Sequence, residues 1–543
     1  LFPTSYRPVG RQLLAALILT GAVAWATPGE TSAADTRLTV TLPSFQVTLN
    51  GQTVNNRNRE YPLIVYNDIT YFPMTWYDCR YLGLENAWSP GQGLSVQQSS
   101  ITAPYHDYAS AAAANTARSY RAELAEGPIA VNGQTIDNHT EEYPLLSFRD
   151  ITYFPLTWRY AHDAFGWEYD WSESSGLSIR SANPQVKDAG LPESAAGNGF
   201  AVYKGYYYFA ETDGALNHIY RSPVNDPAAK EHIYEYDNGS SYRSSPRLSF
   251  QMRDSSLWLY YYTGGPIMGS DHYVQLNEDG TAEDGPSGKV DFRESPLGRV
   301  LVNYFVAPSP PNLKLIPAGS PAEAEPVVLG DPSMIYGWAI AISDNGGTLY
   351  AKGDLQVIGT DLYTHGSPSP VSPDNRQESK RIWRIDLKTG KPTLISREPV
   401  DKFKITDDGR ILYIKTADGR LYASDLSGGQ ETLLSGEHKA HEFSSVGGEV
   451  FYTVLADGWM RQLYKGAGGE EPKEVSGDFF SAVHFTGDRI LAQTLGRSPT
   501  LNVYDSQGEL LTRIAGTAEA LFTDGQQLLL KLDGEASLKI FQF

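Results

Sequence analysis

The sequence predicts a mainly β protein: two small β-rich units with one short helix each, followed by a run of four-stranded antiparallel units. Three observations carry this. Aromatic residues make up 12% of the chain, with 34 Tyr, beside 51 Gly and 33 Pro, a composition that favours strands and turns over long helices. The stretch DITYFPMTW at 68–76 returns as DITYFPLTW at 150–158, which marks an internal duplication. In the C-terminal half, Gly- and Asp-rich turns recur about every 39 residues, a spacing typical of one small sheet per repeat.

The totals set bounds. At 543 residues, 41% of them hydrophobic, the chain has room and apolar material for three or four domains. A formal net charge of −20 repels nucleic acid and anionic lipid, so neither is expected as a partner. The single cysteine, Cys79, allows no intramolecular disulfide and no cysteine-based metal site. It follows the nonamer where a helix should pack, and reads as a small buried hydrophobe rather than a reactive thiol.

Arg7 and Arg11 precede an apolar run at 13–26, and small residues follow at Ala24-Trp25-Ala26 and Ser32-Ala33-Ala34. This is the pattern of a secretory signal peptide, 1–34, cleaved after Ala34 or alternatively after Ala26. The run is too short to span a bilayer comfortably. The expected location is extracellular, on or near the cell wall, with no transmembrane segment in the mature chain.

The first copy is assigned to 35–98. Phe45, Val47 and Leu49 alternate with polar residues, as in a half-buried strand, and Asn50-Gly51 is a hairpin turn signal. Residues 65–71 form a strand pair turning at Asn67-Asp68. Pro73 then suits the first turn of a short helix, because it has no N–H to lose there. The helix covers 75–82, Gly83 stops it, and 93–97 closes the unit as a strand. The second copy, 126–182, repeats each step, with Trp167, Trp171 and Leu177 as apolar anchors. The offset between copies is 82 residues up to Trp158 and 83 from there on, so one residue is inserted just after the second nonamer. Aromatics in such a unit read first as core. The alternative is an exposed row that stacks on sugar rings, and two linked copies would give it avidity.

The second copy carries VNGQ, YPLL, DITYFPLTW, FGWEYDW and GLSI in order, and this pattern resembles the copper amine oxidase N-terminal, or stalk, domain found in secreted proteins of Gram-positive bacteria. The resemblance implies the fold of that module, in tandem. It does not imply copper or oxidase activity. The catalytic domain of those enzymes needs three His on copper and a Tyr in a Thr-x-x-Asn-Tyr-Asp/Glu setting. The nearest string here, around Asn303-Tyr304-Phe305, lacks both the Thr and the acid, and no His-x-His pair occurs. No cofactor and no metal is expected.

A connector, 99–125, holds an Ala-rich run and reads as a spacer. A linker rich in Ala, Gly, Pro and Ser, 183–198, precedes the last region, 199–543. There, one turn series runs Asp408-Gly409, Gly447-Gly448, Gly487-Asp488, Asp524-Gly525. A second runs Thr389-Gly390, Gly428-Gly429, Gly468-Gly469, Gln507-Gly508. Apolar strands lie between them, so each period is a four-stranded antiparallel blade. Earlier units fit more loosely; the fourth is assigned 348–351 and 382–387. The count is eight blades, or seven if one early unit is misread. The last has material for about three strands, so closure needs a strand from the start of the domain, near 191–196. The region resembles TolB-like propellers.

Catalytic motifs are missing. Ser343–Tyr350 approaches a sialidase-type Asp box with its acid one place early, and reads as a hairpin. His438 and His441 have helical metal spacing but sit in a charged loop. No phosphate loop or nucleophile elbow appears. Candidate ligand-binding residues are Tyr207 and Tyr261, from the tyrosine clusters at 206–208 and 260–262, and Asp361, Tyr363 and His365, from an apparent loop insertion at 353–380. The expected function is that of a secreted, non-catalytic binding or scaffold protein. The stalk repeats would attach it to cell-wall polysaccharide or another envelope protein, and the propeller would be its recognition face. The alternatives are a carbohydrate-active enzyme with its site at the propeller mouth, and an envelope sensor or assembly factor.

Overall fold

A computed structural model describes residues 37–109, 114–238, 248–265, 269–304, 308–321, 324–342 and 347–543. The segment 1–34, expected from sequence to be a signal peptide, and most of the Ala-rich run lie outside them. The described chain is mainly β, a front body followed by a β-propeller. Among the described residues no helix is long and apolar enough to cross a membrane.

The duplicated nonamers lie at the centre of the front body. Asn67 and Asp68 both adopt positive φ, 48° and 62°, the turn that best matches strand twist, and it joins Ile64–Tyr66 to Ile69–Pro73. Arg149 and Asp150 do the same in the second copy. The two nonamer strands then pair with each other, antiparallel, with Phe72 opposite Phe154. These are equivalent residues, so a pseudo-twofold axis passes between them, as in an isologous dimer. Each copy also lends a strand to its counterpart. Gly93–Gln98 runs parallel to Ile129–Val131, and Gly176–Arg180 parallel to Val47–Leu49. Gly93 and Gly176 share φ of 73°, and a Cβ at either would sit 1.9 Å from the Pro128 carbonyl oxygen or 2.0 Å from that of Gln46. This close approach explains the repeated Gly-Leu-Ser.

The copies therefore form one body with shared cores. Six strands form one sheet, and Thr41 and Val65 exchange hydrogen bonds at 3.0 and 2.7 Å to close it into a small barrel. Tyr71, Tyr153, Val40, Ile64, Leu146 and Phe148 fill its interior. Alternation sends Phe72 and Phe154 to the other face, where Trp167 packs with residues of both copies. The Trp167 ring lies 5.0 Å from Phe72, and its Nε1 donates to the Leu82 carbonyl at 2.8 Å.

The inserted residue has a structural consequence. The first copy has an α-helix, Trp76–Tyr81, capped by Thr75, whose Oγ1 accepts from the Asp78 N–H. The second copy has a π-helix, Trp158–Ala164. One extra residue is absorbed as a wider turn, which keeps Gly166 and Trp167 in register with Gly83 and Leu84. Cys79 is buried.

The propeller has eight four-stranded units among the described residues. The first turn series joins the first and second strands of blades 5 to 8, and the second series joins the third and fourth strands of blades 4 to 7. Blade 8 closes with Val186–Asp188, which pairs antiparallel with Lys539–Gln542. The closing strand is thus upstream of 191–196, and the segment 183–198 is part of the ring rather than a free linker. The connector is also structural: Ile101–Thr102 runs parallel to Leu510–Ala515, the outer strand of blade 7, and Tyr120–Leu124 belongs to the barrel.

Blade 4 departs most from expectation. The segment 353–380 is not a loop, because it contains Asp361–Pro368, a central strand of the blade. Its inner neighbour is split into Met334–Tyr336 and Leu355–Ile358, which pair end to end with that one strand. The interruption is a hairpin, Trp338–Ile342 with Thr348–Lys352. Residues 348–351 thus belong to the excursion and not to the blade.

Candidate functional site

The first strands of blades 3 to 7 surround an open cavity of about 630 Å³ on the propeller axis. Arg293 comes from blade 3, Asp354 and Gln356 from the split strand of blade 4, and Lys402 and Lys404 from Val400–Ile405 of blade 5. Glu442 and Ser444 come from blade 6 with Arg461, and His484 from Phe480–Phe485 of blade 7. Period-two alternation explains the pattern: Phe403 and Ile405 are buried while Lys402 and Lys404 are exposed.

Each blade reaches across to the next. The Arg293 Nε donates to the Leu355 carbonyl at 2.9 Å. Asp354 Oδ2 accepts from the Phe403 N–H at 2.7 Å, and Gln356 Oε1 from the Ile405 N–H at 2.6 Å. Lys402 donates to the His441 carbonyl at 3.0 Å, Lys404 to Ser444 Oγ at 2.7 Å, and Arg461 to the Ser481 carbonyl at 2.6 Å. These struts fix the wall. Four basic side chains face two carboxylates there, with Arg293 also paired to Asp291 at 3.2 Å, in a chain whose formal charge is −20. The Lys404 side chain is exposed to the open cavity, yet the wall around its ammonium strips enough water to lower its pKa from the ordinary lysine value, against the pull of Asp407 and Asp354. The same loss of water lowers His484, opposed by Glu442 and reinforced by Arg461. Such a basic pocket suits an anionic group.

The residues singled out from sequence do not converge. Tyr207 is buried between blades 8 and 1, beside Phe209 and Leu529. Tyr261 is buried in blade 2, stacked on Tyr236 at 3.7 Å and on His272 at 4.7 Å. Tyr363 is buried between blades 4 and 5. His365 is fully buried behind the cavity wall. Its Nδ1 accepts from the Asp354 N–H at 2.9 Å and its Nε2 lies 3.0 Å from the Val400 carbonyl, so a neutral imidazole bridges two blades. Asp361, partly buried, sits opposite Asp386. Pro, Ser and Asp give 353–380 a loop's composition although a strand runs through it, and the rings of Tyr207 and Tyr261 are used in packing between blades. The readable signal for the cavity was the Lys402/Lys404 alternation on the strand before Asp408-Gly409.

A second surface lies on the front body. Trp88 and Trp171, equivalent in the two copies, are 71% and 57% exposed. Trp171 is therefore not a core anchor; it meets only Phe45 edge-on at 6.4 Å among its ring contacts. Trp158 is 59% exposed and stacks on His162 at 4.0 Å. Its counterpart Trp76 packs instead against Ile101, Ala103 and Ala515, where the front body meets blade 7.

No protein-family model matches the sequence, and no curated protein does. Among solved structures, the chain is similar to BamB from Moraxella catarrhalis at 12% identity, with 66% of this chain and 100% of that one covered and a TM-score of 0.38. It is similar to TolB from Acinetobacter baumannii at 11% identity, covering 57% and 82%, with a TM-score of 0.28. A virginiamycin B lyase from Staphylococcus aureus aligns at 10% identity over 66% and 99%, with a TM-score of 0.30. The strand pairing itself defines the β-propeller.

Proposed function

We propose that this is a non-catalytic binding protein of the cell envelope, whose stalk-type front body attaches to wall polysaccharide and whose propeller axis receives an anionic group of its partner. The observation that carries the reading is the pair of exposed indoles at equivalent positions, Trp88 and Trp171. Neither is needed for the core, which Trp167 supplies. Covering about 100 Å² of one indole on a sugar ring is worth about 2.5 kcal/mol, and two linked contacts multiply retention. A binding rather than catalytic role is supported by the cavity carboxylates. Asp354 already accepts from the next blade, and Glu442 Oε2 lies 3.5 Å from Arg461. Secretion and the stalk resemblance are part of this same reading.

The test is co-sedimentation of the full chain with purified Gram-positive wall sacculi. Trp88→Ala or Trp171→Ala should weaken retention by up to about seventyfold each, and the double variant should abolish it with circular dichroism unchanged. A double variant that sediments like the native chain overturns the proposal, as does a native chain that is not retained.

A further inference from the structure

Blade 1 carries three side chains at its outer edge that the axial cavity does not use. His218 stands in Leu216–Pro223, the third strand, and His232 and Glu235 stand in Glu231–Asp237, the fourth. In a regular strand, residues three apart face opposite sides of the sheet. Here the ladder slips. His218 pairs with Glu235 and Ile219 with Tyr234, but Tyr220 pairs with His232, so Ile233 is left over as a bulge. A bulge re-aims the side chains beyond it, and this one brings His232 to the face that holds His218 and Glu235.

The result is a compact donor set. One ligand atom from each of the three residues lies within 4.8 Å of the others. His218 Nδ1 is 3.5 Å, and His232 Nε2 3.7 Å, from the same Glu235 Oε2. Ligands about 2.0–2.1 Å from a tetrahedral ion stand about 3.3 Å apart, so two of the three edges are already near that length. Rotation of the exposed His232 ring closes the third. The charges beside the cluster are already paired with each other. Glu211 lies opposite His218 on the neighbouring strand and is matched by Lys230 at 2.8 Å. The Lys230 ammonium lies 4.3 Å over the Tyr220 ring.

We propose that His218, His232 and Glu235 bind a divalent transition cation of the zinc class, with a fourth position open to solvent. Two imidazoles and one carboxylate suit zinc, cobalt or nickel rather than calcium or magnesium, which take oxygen ligands.

Calorimetric titration of the full chain with Zn²⁺, and the visible spectrum with Co²⁺, test this. The expected result is one site whose affinity falls at least tenfold in His232→Ala and in Glu235→Gln and is unchanged in His438→Ala. Zn²⁺ should also raise the melting temperature of the native chain but not of His232→Ala. Both substituted positions are exposed, and circular dichroism checks that the variants fold. Equal affinity in native and His232→Ala chains, the mark of an adventitious ion only, overturns the proposal, as does no binding at millimolar Zn²⁺.

Discussion

Each copy of the front body makes one ion pair from the position of Arg59, buried in the first copy and open to water in the second, and one perturbation separates burial from pairing. In the first copy Arg59 Nη2 holds Asp78 Oδ1 and Oδ2 at 2.7 and 2.8 Å, with side chains 0% and 1% exposed. In the second, Glu141 stands where Arg59 does. Arg159, from the π-helix, reaches its two oxygens at 2.8 and 2.7 Å while 60% exposed. Burial opposes the Arg59 charge, but Asp78 outweighs it and holds the guanidinium above its ordinary value. Among the described residues Arg59 Nε and Nη1 have no hydrogen-bond partner, so the carboxylate is its main compensation. Asp78→Asn strands that charge and should cost about 3–5 kcal/mol. Glu141→Gln should cost at most about 1 kcal/mol, since water screens Arg159. The assay is hydrogen exchange of the helix amides 76–81 in the full chain. Asp78→Asn should speed exchange by about two to four orders of magnitude, and the paired apolar change Arg59→Met with Asp78→Leu should recover most of the loss. Asp78→Asn costing no more than Glu141→Gln refutes the reasoning.

Two further outcomes follow from contacts between units. Burial pushes the His365 pKa below the ordinary histidine value, so only the unfolded chain takes up its proton below about pH 6.5. Stability from this group is complete above that pH and falls on acidification, by up to about 1.4 kcal/mol per pH unit. The pH 7 to pH 5 shift in urea midpoint should therefore be smaller in His365→Gln than in the native chain, while His272, His441 and His484, also lowered by burial, contribute to both. Identical shifts would show that His365 is not the buried neutral strut. The front body is held to blade 7 by Glu85 and Arg513, paired at 3.1 and 2.7 Å. A double-mutant cycle on thermal unfolding should give a coupling of about 0.2–1 kcal/mol, and the exchange Glu85→Arg with Arg513→Glu should restore part of what either change loses. Zero coupling would remove the pair from the docking.

What could be read from the sequence was local. Asn67-Asp68 and the Gly and Asp turn pairs each demand a particular backbone conformation, and side-chain chemistry announces it within a few residues; Pro73, expected in the first turn of the helix, instead ends the paired strand Ile69–Pro73, and the helix starts at Trp76 behind its Thr75 cap. The duplication, its single inserted residue and the propeller period followed from such marks. Which strand each edge would meet was not local. A backbone edge accepts any partner of the right register, and two near-identical copies are equally complementary to themselves and to each other. Only the folded chain decided that Phe72 pairs with Phe154 and that Gly93 lies against Pro128. The same limit hid the sites. Lys402 and Lys404 showed their alternation, but that their face lines the axis depended on five blades closing around it. His232 and Glu235, three apart, would face opposite sides of a regular strand, and only the bulge in the pairing with the neighbouring strand turned one of them over.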